Sequence, residues 1–408
     1  MSRFQTRQTF PAGEASPPGP ASPAGEPTSS PAALPWSGLL TLTTAAFTAV
    51  LTEQLPTGLL LRMSADLDVS RASVGFLVSG YAVASCLAAV PLTALLRRYH
   101  RRPVLVGVLI VLGLCNAVAA LSDSYPLTFA VRLLAGAAGG VGWSMFAGYA
   151  ARMVPVERQG RAIAIALAGI TVAFAAGVPA GTALAAAVGW RAGFATLAAL
   201  ALILAAWVIQ RLPDFPGEPG TARLPVRRVI VRPGLRSVFA MTLFLLLGHQ
   251  AMYTYTAPFV ERSRFGNAGL VLFVFGGTTV VGVWVAGLVV DRHPRTTLRA
   301  ALGLVAVAML ALGLFGRVPP VLLVSFVAWG AAYGAIPTLL QAAVVGACGP
   351  DQADVATSIQ TTVFNLGIAG GSLAGGVALE RAGVGSLPWL ALVLVIAAAA
   401  TAPAVRES

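Results

Sequence analysis

Stretches of about 20 apolar residues recur along the chain, separated by short polar breaks. A helix of that length crosses the roughly 30 Å hydrocarbon core of a bilayer. Backbone groups inside lipid find no water, so each segment has to satisfy its own hydrogen bonds and is expected to be helical. The pattern gives twelve spans, near 37–61, 73–96, 103–122, 126–151, 161–188, 191–210, 237–259, 268–290, 299–316, 319–347, 355–378 and 387–404. Only 10% of the 408 residues are charged and 57% are hydrophobic, too few charges to cover a soluble surface of this size. The expected class is an all-α membrane protein of twelve transmembrane helices.

A net charge of +12 raises the question of nucleic acid. All 27 basic residues are arginine, a bias that points to a GC-rich, bacterial genome. Sixteen lie in loops on one face of the expected bundle and seven in loops on the other. That asymmetry is what the positive-inside rule produces, so the charge is assigned to anionic lipid and no nucleic-acid partner is expected. It places both termini in the cytoplasm of a multi-pass protein of the bacterial inner membrane. Residues 1–35 are rich in Pro, Ala, Gly and Ser without a continuous apolar core, and are expected to form a disordered cytoplasmic tail rather than a signal peptide. Cys86, Cys115 and Cys348 sit in apolar runs with no metal or disulfide spacing.

The longest internal polar break, "PDFPGEPGTARLPVRRVIVRPGLR" (213–236), divides the spans six and six. After the second span the chain reads "TALLRRYHRRPVL"; after the eighth it reads "GLVVDRHPRTTL", with Arg97 and Asp291 in corresponding places, 194 residues apart. Two parallel repeats follow: an N-terminal six-helix bundle (36–211), a cytoplasmic linker (212–236) and a C-terminal six-helix bundle (237–408).

Two charges stand deep in the apolar runs: Glu53 in "AVLTEQLPTG" and Arg132 in "RLLAGAAGG". A charge in mid-span costs roughly 2.5–3.5 kcal/mol on insertion scales, so each should face a cavity or a partner. Counted from the loops, Glu53 lies roughly 13 Å deep and Arg132 roughly 12 Å deep, near enough in level to meet. Glu53 then either carries a proton or merely neutralises Arg132, while Arg132 has the alternative of bonding backbone carbonyls. Thr41, Thr44, Thr48 and Thr52 fall at helical intervals in the first span, as do Thr242, His249, Tyr253 and Thr256 in the seventh and Ser358, Thr361, Asn365 and Ser372 in the eleventh. Thr48, Thr52, His249, Tyr253 and Asn365 are the candidate substrate-pathway residues. "GVPAG" (177–181) combines a missing backbone donor with missing bulk, so a bend against a neighbouring helix is expected there.

These segments together resemble the major facilitator superfamily, in particular its twelve-span drug:proton antiporter group and the sugar-, nucleoside- and drug-efflux branch. "GLVVDRHPRTTL" is similar to the family's G-x-x-x-D-R-x-x-R loop, through Gly287, Asp291, Arg292 and Arg295. The first copy keeps Arg101 and Arg102 but has Thr93 for the glycine and Arg97 for the aspartate. Gly177, Pro179 and Gly181 resemble the glycine–proline signature of the export branch, with Val178 interposed. The resemblance extends over residues 36–404, and "GWRAGF" (189–194) and "FNLGIAGG" (364–371) add to it. It implies two pseudo-symmetric six-helix bundles, a central cavity lined by spans 1, 4, 7 and 10, and a role for Arg132 with Glu53 in proton coupling. The implied activity is export of a small molecule (drug, sugar, nucleoside or secondary metabolite) in exchange for protons by alternating access, with drug resistance as one consequence. The alternatives are an uncoupled facilitator or importer of a sugar or nucleoside and, more remotely, a membrane-embedded enzyme or a channel. No HExxH or paired intramembrane acids appear, so an enzyme is not expected. Protons are the coupling ion, no cofactor or metal is implied, and the partners are substrate, protons and lipid around a monomer.

Overall fold

The computed structural model describes residues 34–401 except 97, 156–157, 218–232, 264, 290–293 and 348–352. By its contacts the chain divides into two compact units, Met1–Leu34 and Pro35–Ser408; everything below concerns the second. Of the sequence expectations, those on the N-terminal tail, Arg97, Asp291, Arg292, Cys348 and most of the linker fall outside the described residues.

The described residues are helical, in the order α1 (Trp36–Asp66), α2 (Arg71–Leu96), α3 (Arg101–Leu121), α4 (Tyr125–Arg152), α5 (Gln159–Val172), a π turn (Ala173–Gly177) and α6 (Val178–Val188), then α7 (Trp190–Arg211). The second half continues with α8 (Pro233–Tyr253), α9 (Thr256–Arg262), α10 (Ala268–Val289), α11 (Pro294–Phe315), α12 (Pro319–Ala347), α13 (Ala353–Ala382), a 3₁₀ turn (Val384–Ser386) and α14 (Leu387–Thr401). With α5–α6 and α8–α9 each counted as one rod, twelve rods result. Eleven are long and apolar enough by composition to cross a membrane. The twelfth is α1, whose threonines, Glu53, Gln54 and Pro56 dilute its apolar run.

Two spans that the sequence reads as continuous are interrupted, in both cases next to proline. Pro179 has no N–H for the carbonyl four residues back, and its ring would press on it. The wider π turn just before it relieves that conflict, with the Val178 N–H reaching Ala173 instead. The seventh span breaks at Thr254–Tyr255, where Pro258 withholds the donor that the Thr254 carbonyl would need.

Polarity is distributed inside out. Ile203, Trp284, Val307, Val324 and Val393 stand exposed, while Thr52, Glu53, Arg132, His249 and Gln250 are buried. A lipid-facing bundle requires this arrangement, and with no hydrophobic force between helices in lipid, close backbone packing has to hold them together. Glycines supply it in a repeated way. Gly136 and Gly140 bring α4 onto the Tyr81 and Ser85 carbonyls of α2. Gly330 and Gly334, each 194 residues later, bring α12 onto the Phe275 and Thr279 carbonyls of α10. The offset equals that between the two loop copies, so the duplication is built into the packing.

The halves meet through α2 with α13 and through the α5–α6 rod with α10. Three of the ties between them lie at one end of the bundle. Ser372 Oγ donates to the Gly75 carbonyl (3.0 Å), Ser70 Oγ donates to Glu380 (2.7 Å), and Arg71 pairs with Glu261 (2.9 Å). Tyr255 reaches across the bare Cα of Gly75 to donate to the Ser372 carbonyl at 2.9 Å.

Gly140→Leu is expected to force α4 off α2 and cost about 1–3 kcal/mol, read as a lower thermal midpoint of the detergent-solubilised protein. An unchanged midpoint would show that the two backbones do not pack this closely.

Candidate functional site

The site begins with a defect in α1. Pro56 carries no amide hydrogen, so the Thr52 carbonyl four residues earlier has no donor within its helix. In a membrane interior such an orphan is costly. Arg132 of α4, only 1% exposed, fills the gap: Nη1 donates to the Thr52 carbonyl, Nη2 to the Glu53 carbonyl (2.9 Å) and Nε to the Leu77 carbonyl of α2 (3.3 Å). The Tyr81 ring lies 4.7 Å under the guanidinium and adds cation–π attraction. Asn116 of α3 closes the cluster by donating to Thr52 Oγ1 at 3.0 Å.

Sequence reasoning placed Glu53 and Arg132 at one level, and they are together, but through the backbone. The guanidinium is committed to carbonyls, and the Glu53 carboxylate, buried with 5% exposure, accepts from Gln54 Nε2 at 3.4 Å. Gln54 Oε1 in turn accepts from Gln250 Nε2 of α8 (3.2 Å), which also donates to Thr254 Oγ1 (3.0 Å). A polar chain therefore runs from the buried acid of one half into the other.

The remaining expected residues form separate groups. Thr48 is buried but donates to the Thr44 carbonyl of its own helix (2.8 Å), and Asn365 turns back on Thr361 (3.2 Å). His249 and Tyr253 lie together in an aromatic cluster with Phe275 of α10 and Trp329 and Tyr333 of α12. Gly177 and Gly181 seat α1's Leu51 and Leu55 against the helix before and after Pro179. Gly287 lies near the end of α10, and Arg295 in the first turn of α11.

Arg101 and Arg102 open α3 and bind the chain beyond α7. The Arg101 N–H donates to the Phe215 carbonyl (2.9 Å), and the Arg102 N–H to Asp214 Oδ1 (3.2 Å). The other Asp214 oxygen meets His100 Nδ1 at 2.9 Å. Partial desolvation pushes the Asp214 carboxyl up, but hydrogen bonds and charge from Arg102 and His100 outweigh it and hold it below the usual range. The contact is therefore at full strength above the ordinary carboxylate pKa and is lost as pH falls through the depressed value. In this half, where Arg97 stands in the aspartate's position, an acid from the segment after α7 engages the loop.

Gln250, Asn116, Tyr81, Phe275, Trp329 and Tyr333 were not singled out from sequence. Gln250 and Asn116 were findable as amides inside apolar runs; the rings were not, since aromatic residues are ordinary in membrane helices.

A lipid-facing bundle of two similar halves, with its polar groups collected at the centre between them, is the plan of a secondary transporter. The chain belongs to the Major Facilitator Superfamily, whose family model matches residues 42–371 and 263–406. It is 28% identical over 354 residues to the purine ribonucleoside efflux pump NepI of Escherichia coli O6:H1, covering 86% of this chain and 89% of that protein. Among solved structures it is similar to the nucleoside transporter NupG, with a TM-score of 0.72 at 14% identity over 90% of this chain and 98% of that one. It is also similar to a bacterial homolog of the human lysosomal transporter Spinster in its inward-facing, unoccupied conformation, with a TM-score of 0.70 at 14% identity over 92% and 95% of the two chains. The protein is a multi-pass membrane transporter of a small molecule and not an enzyme.

If Arg132 repairs the proline defect, the two residues must be coupled. Arg132→Met is expected to cost about 1–3 kcal/mol by orphaning the Thr52 carbonyl. In a Pro56→Ala background, where residue 56 regains its N–H, most of that cost should vanish in a double-mutant cycle of unfolding. Additive effects would show that the clamp does not serve that carbonyl.

Proposed function

We propose that the chain exports a nucleoside-like small molecule across the bacterial inner membrane in exchange for protons. One observation carries the proton reading: Glu53 is a buried carboxylate whose cationic neighbour is spent on backbone carbonyls. Holding a charge at that depth costs free energy that binding a proton relieves. The substrate class is supported by the 28% identical purine ribonucleoside efflux pump. The arginine-rich loops favour cytoplasmic termini, and in that orientation the end tied by Arg71–Glu261 and Ser70–Glu380 is the outer face.

In this scheme residues 36–211 and 237–408 rock about the central cluster, joined by the linker 212–236. With the outer face shut, the site loads substrate from the cytoplasm and Glu53 gives up its proton inward. With the outer face open, substrate leaves and Glu53 is reprotonated. Thr48, Thr52, His249, Tyr253 and Asn365 line the path, and the Gly177–Pro179–Gly181 bend and the loops at Arg101–Arg102 and Gly287–Asp291–Arg292–Arg295 set the rocking equilibrium. The chain works as a monomer with protons as its only coupling ion, and toxic nucleoside analogues are the drugs to which it would give resistance.

Inverted vesicles with an imposed pH gradient test this. Wild type is expected to accumulate labelled purine nucleoside, and Glu53→Gln to lose gradient-driven accumulation while keeping substrate exchange without a gradient. Gradient-driven transport by Glu53→Gln equal to wild type would overturn the assignment of the proton to Glu53.

A further inference from the structure

The aromatic cluster around His249 has properties that core packing does not require. His249 and Tyr333 lie face to face, with ring centroids 3.6 Å apart and planes 7° from parallel. On the same helix as His249, Tyr253 lies 5.3 Å from it and 18° from parallel. Trp329 meets His249 edge-on at 5.3 Å and Phe275 at 4.8 Å, closing the sides. His249, Tyr253, Phe275 and Trp329 are buried, while Tyr333 is partly open.

Two polar atoms of these rings, His249 Nδ1 and Trp329 Nε1, are buried with no hydrogen-bond partner among the described residues. Orphaned buried groups call for an explanation, and two of them on adjoining rings of one cluster fit a site that a ligand completes. Neither orphan lies in the Arg132 cluster, so the box is a separate feature of the second half.

The charges around it narrow the ligand. Tyr333, the half-buried wall, is within electrostatic reach of Glu53. Arg132, the cation nearest that acid, is tied to carbonyls. An anionic ligand would be repelled by that buried acid and find no free cation from Arg132, whereas a neutral ring with polar edge atoms would find aromatic faces to stack on and two unpaired groups.

We propose that His249, Tyr253, Phe275, Trp329 and Tyr333 form the seat of a flat, uncharged heteroaromatic ring, a nucleobase carried as nucleoside rather than nucleotide. The ring takes over the Tyr333 face that His249 now covers, the Trp329 N–H donates to its edge, and His249 Nδ1 exchanges a second hydrogen bond with it. Stacking tolerates many bases because each has a π face, and the two edge groups supply the discrimination. This deepens the nucleoside-export reading and rests on it for the choice of ligand.

The test is equilibrium binding to the purified full-length transporter in detergent, with adenosine, AMP and ribose as probes. Wild type is expected to bind adenosine at least tenfold more tightly than AMP and not to bind ribose alone, a comparison that needs no variant to fold. Tyr333→Phe keeps the face and is expected to bind as wild type; Tyr333→Leu should lose about tenfold or more, and Trp329→Phe, which keeps a ring but no N–H, several-fold. AMP binding as tightly as adenosine, or Tyr333→Leu matching Tyr333→Phe, overturns the proposal. Nucleoside export unaffected by Tyr333→Leu would remove the box and leave the export reading standing. Tyr333-dependent binding of adenosine without any nucleoside export in vesicles would keep the box and remove that reading.

Discussion

One backbone carbonyl organises the centre of this transporter. Pro56 takes away the donor that Thr52 would have had in an unbroken helix, and lipid offers no water to replace it. Arg132 supplies the missing hydrogen bond from α4, and its other nitrogens extend the repair to Glu53 and to Leu77 of α2. Three helices are thereby fixed at one level by groups that would each be expensive alone. The guanidinium is desolvated, but its donors are used; the carbonyl loses its helical partner, but gains a charge-assisted one. The same geometry leaves the Glu53 carboxylate outside the clamp, where its nearest bonded neighbour is the amide of Gln54.

From that acid the structure continues across the boundary between the halves. Gln54 is hydrogen-bonded to Gln250, and Gln250 to Thr254, at the point where the seventh span breaks. A buried acid in the first half is thus in register with a breakable joint in the second, and within electrostatic reach of Tyr333 at the rim of the aromatic box. The buried acid, the bond between the halves and the aromatic cluster are neighbours, so a change at one can influence the others.

The two halves are alike in how they are packed and unlike in what they carry. Gly136 and Gly140 recur as Gly330 and Gly334, so the close crossing of the second and fourth rods is repeated. Yet the first half places a charged clamp and an acid at its centre, and the second places five rings. The loop after α2 shows the same divergence: without the aspartate of the second copy, it is engaged by Asp214 from the segment after α7. Duplication supplied the frame, and each half then specialised.

The sequence by itself determined the class and the fold. Apolar runs of span length pointed to a helical membrane bundle, because a chain that cannot satisfy its backbone in lipid has to form helices, and the six-and-six division with its repeated loop suggested two halves. It also singled out Glu53 and Arg132, since charges in such runs are rare enough to stand out, and it marked Gly177–Pro179, beside which a π turn interrupts the helix. What it did not determine is which atoms meet. Depth along a helix can be counted at 1.5 Å per residue, but rotation and partner choice are set by packing between segments far apart in the chain. Only the tertiary structure decided that Arg132 serves the carbonyls that Pro56 exposes rather than the Glu53 carboxylate. Only it paired Gln54 with Gln250, 196 residues away, and gathered His249, Phe275 and Tyr333 from three helices into one box. Those contacts lie between elements, and a pattern read along one helix carries no information about the face its neighbour turns toward it.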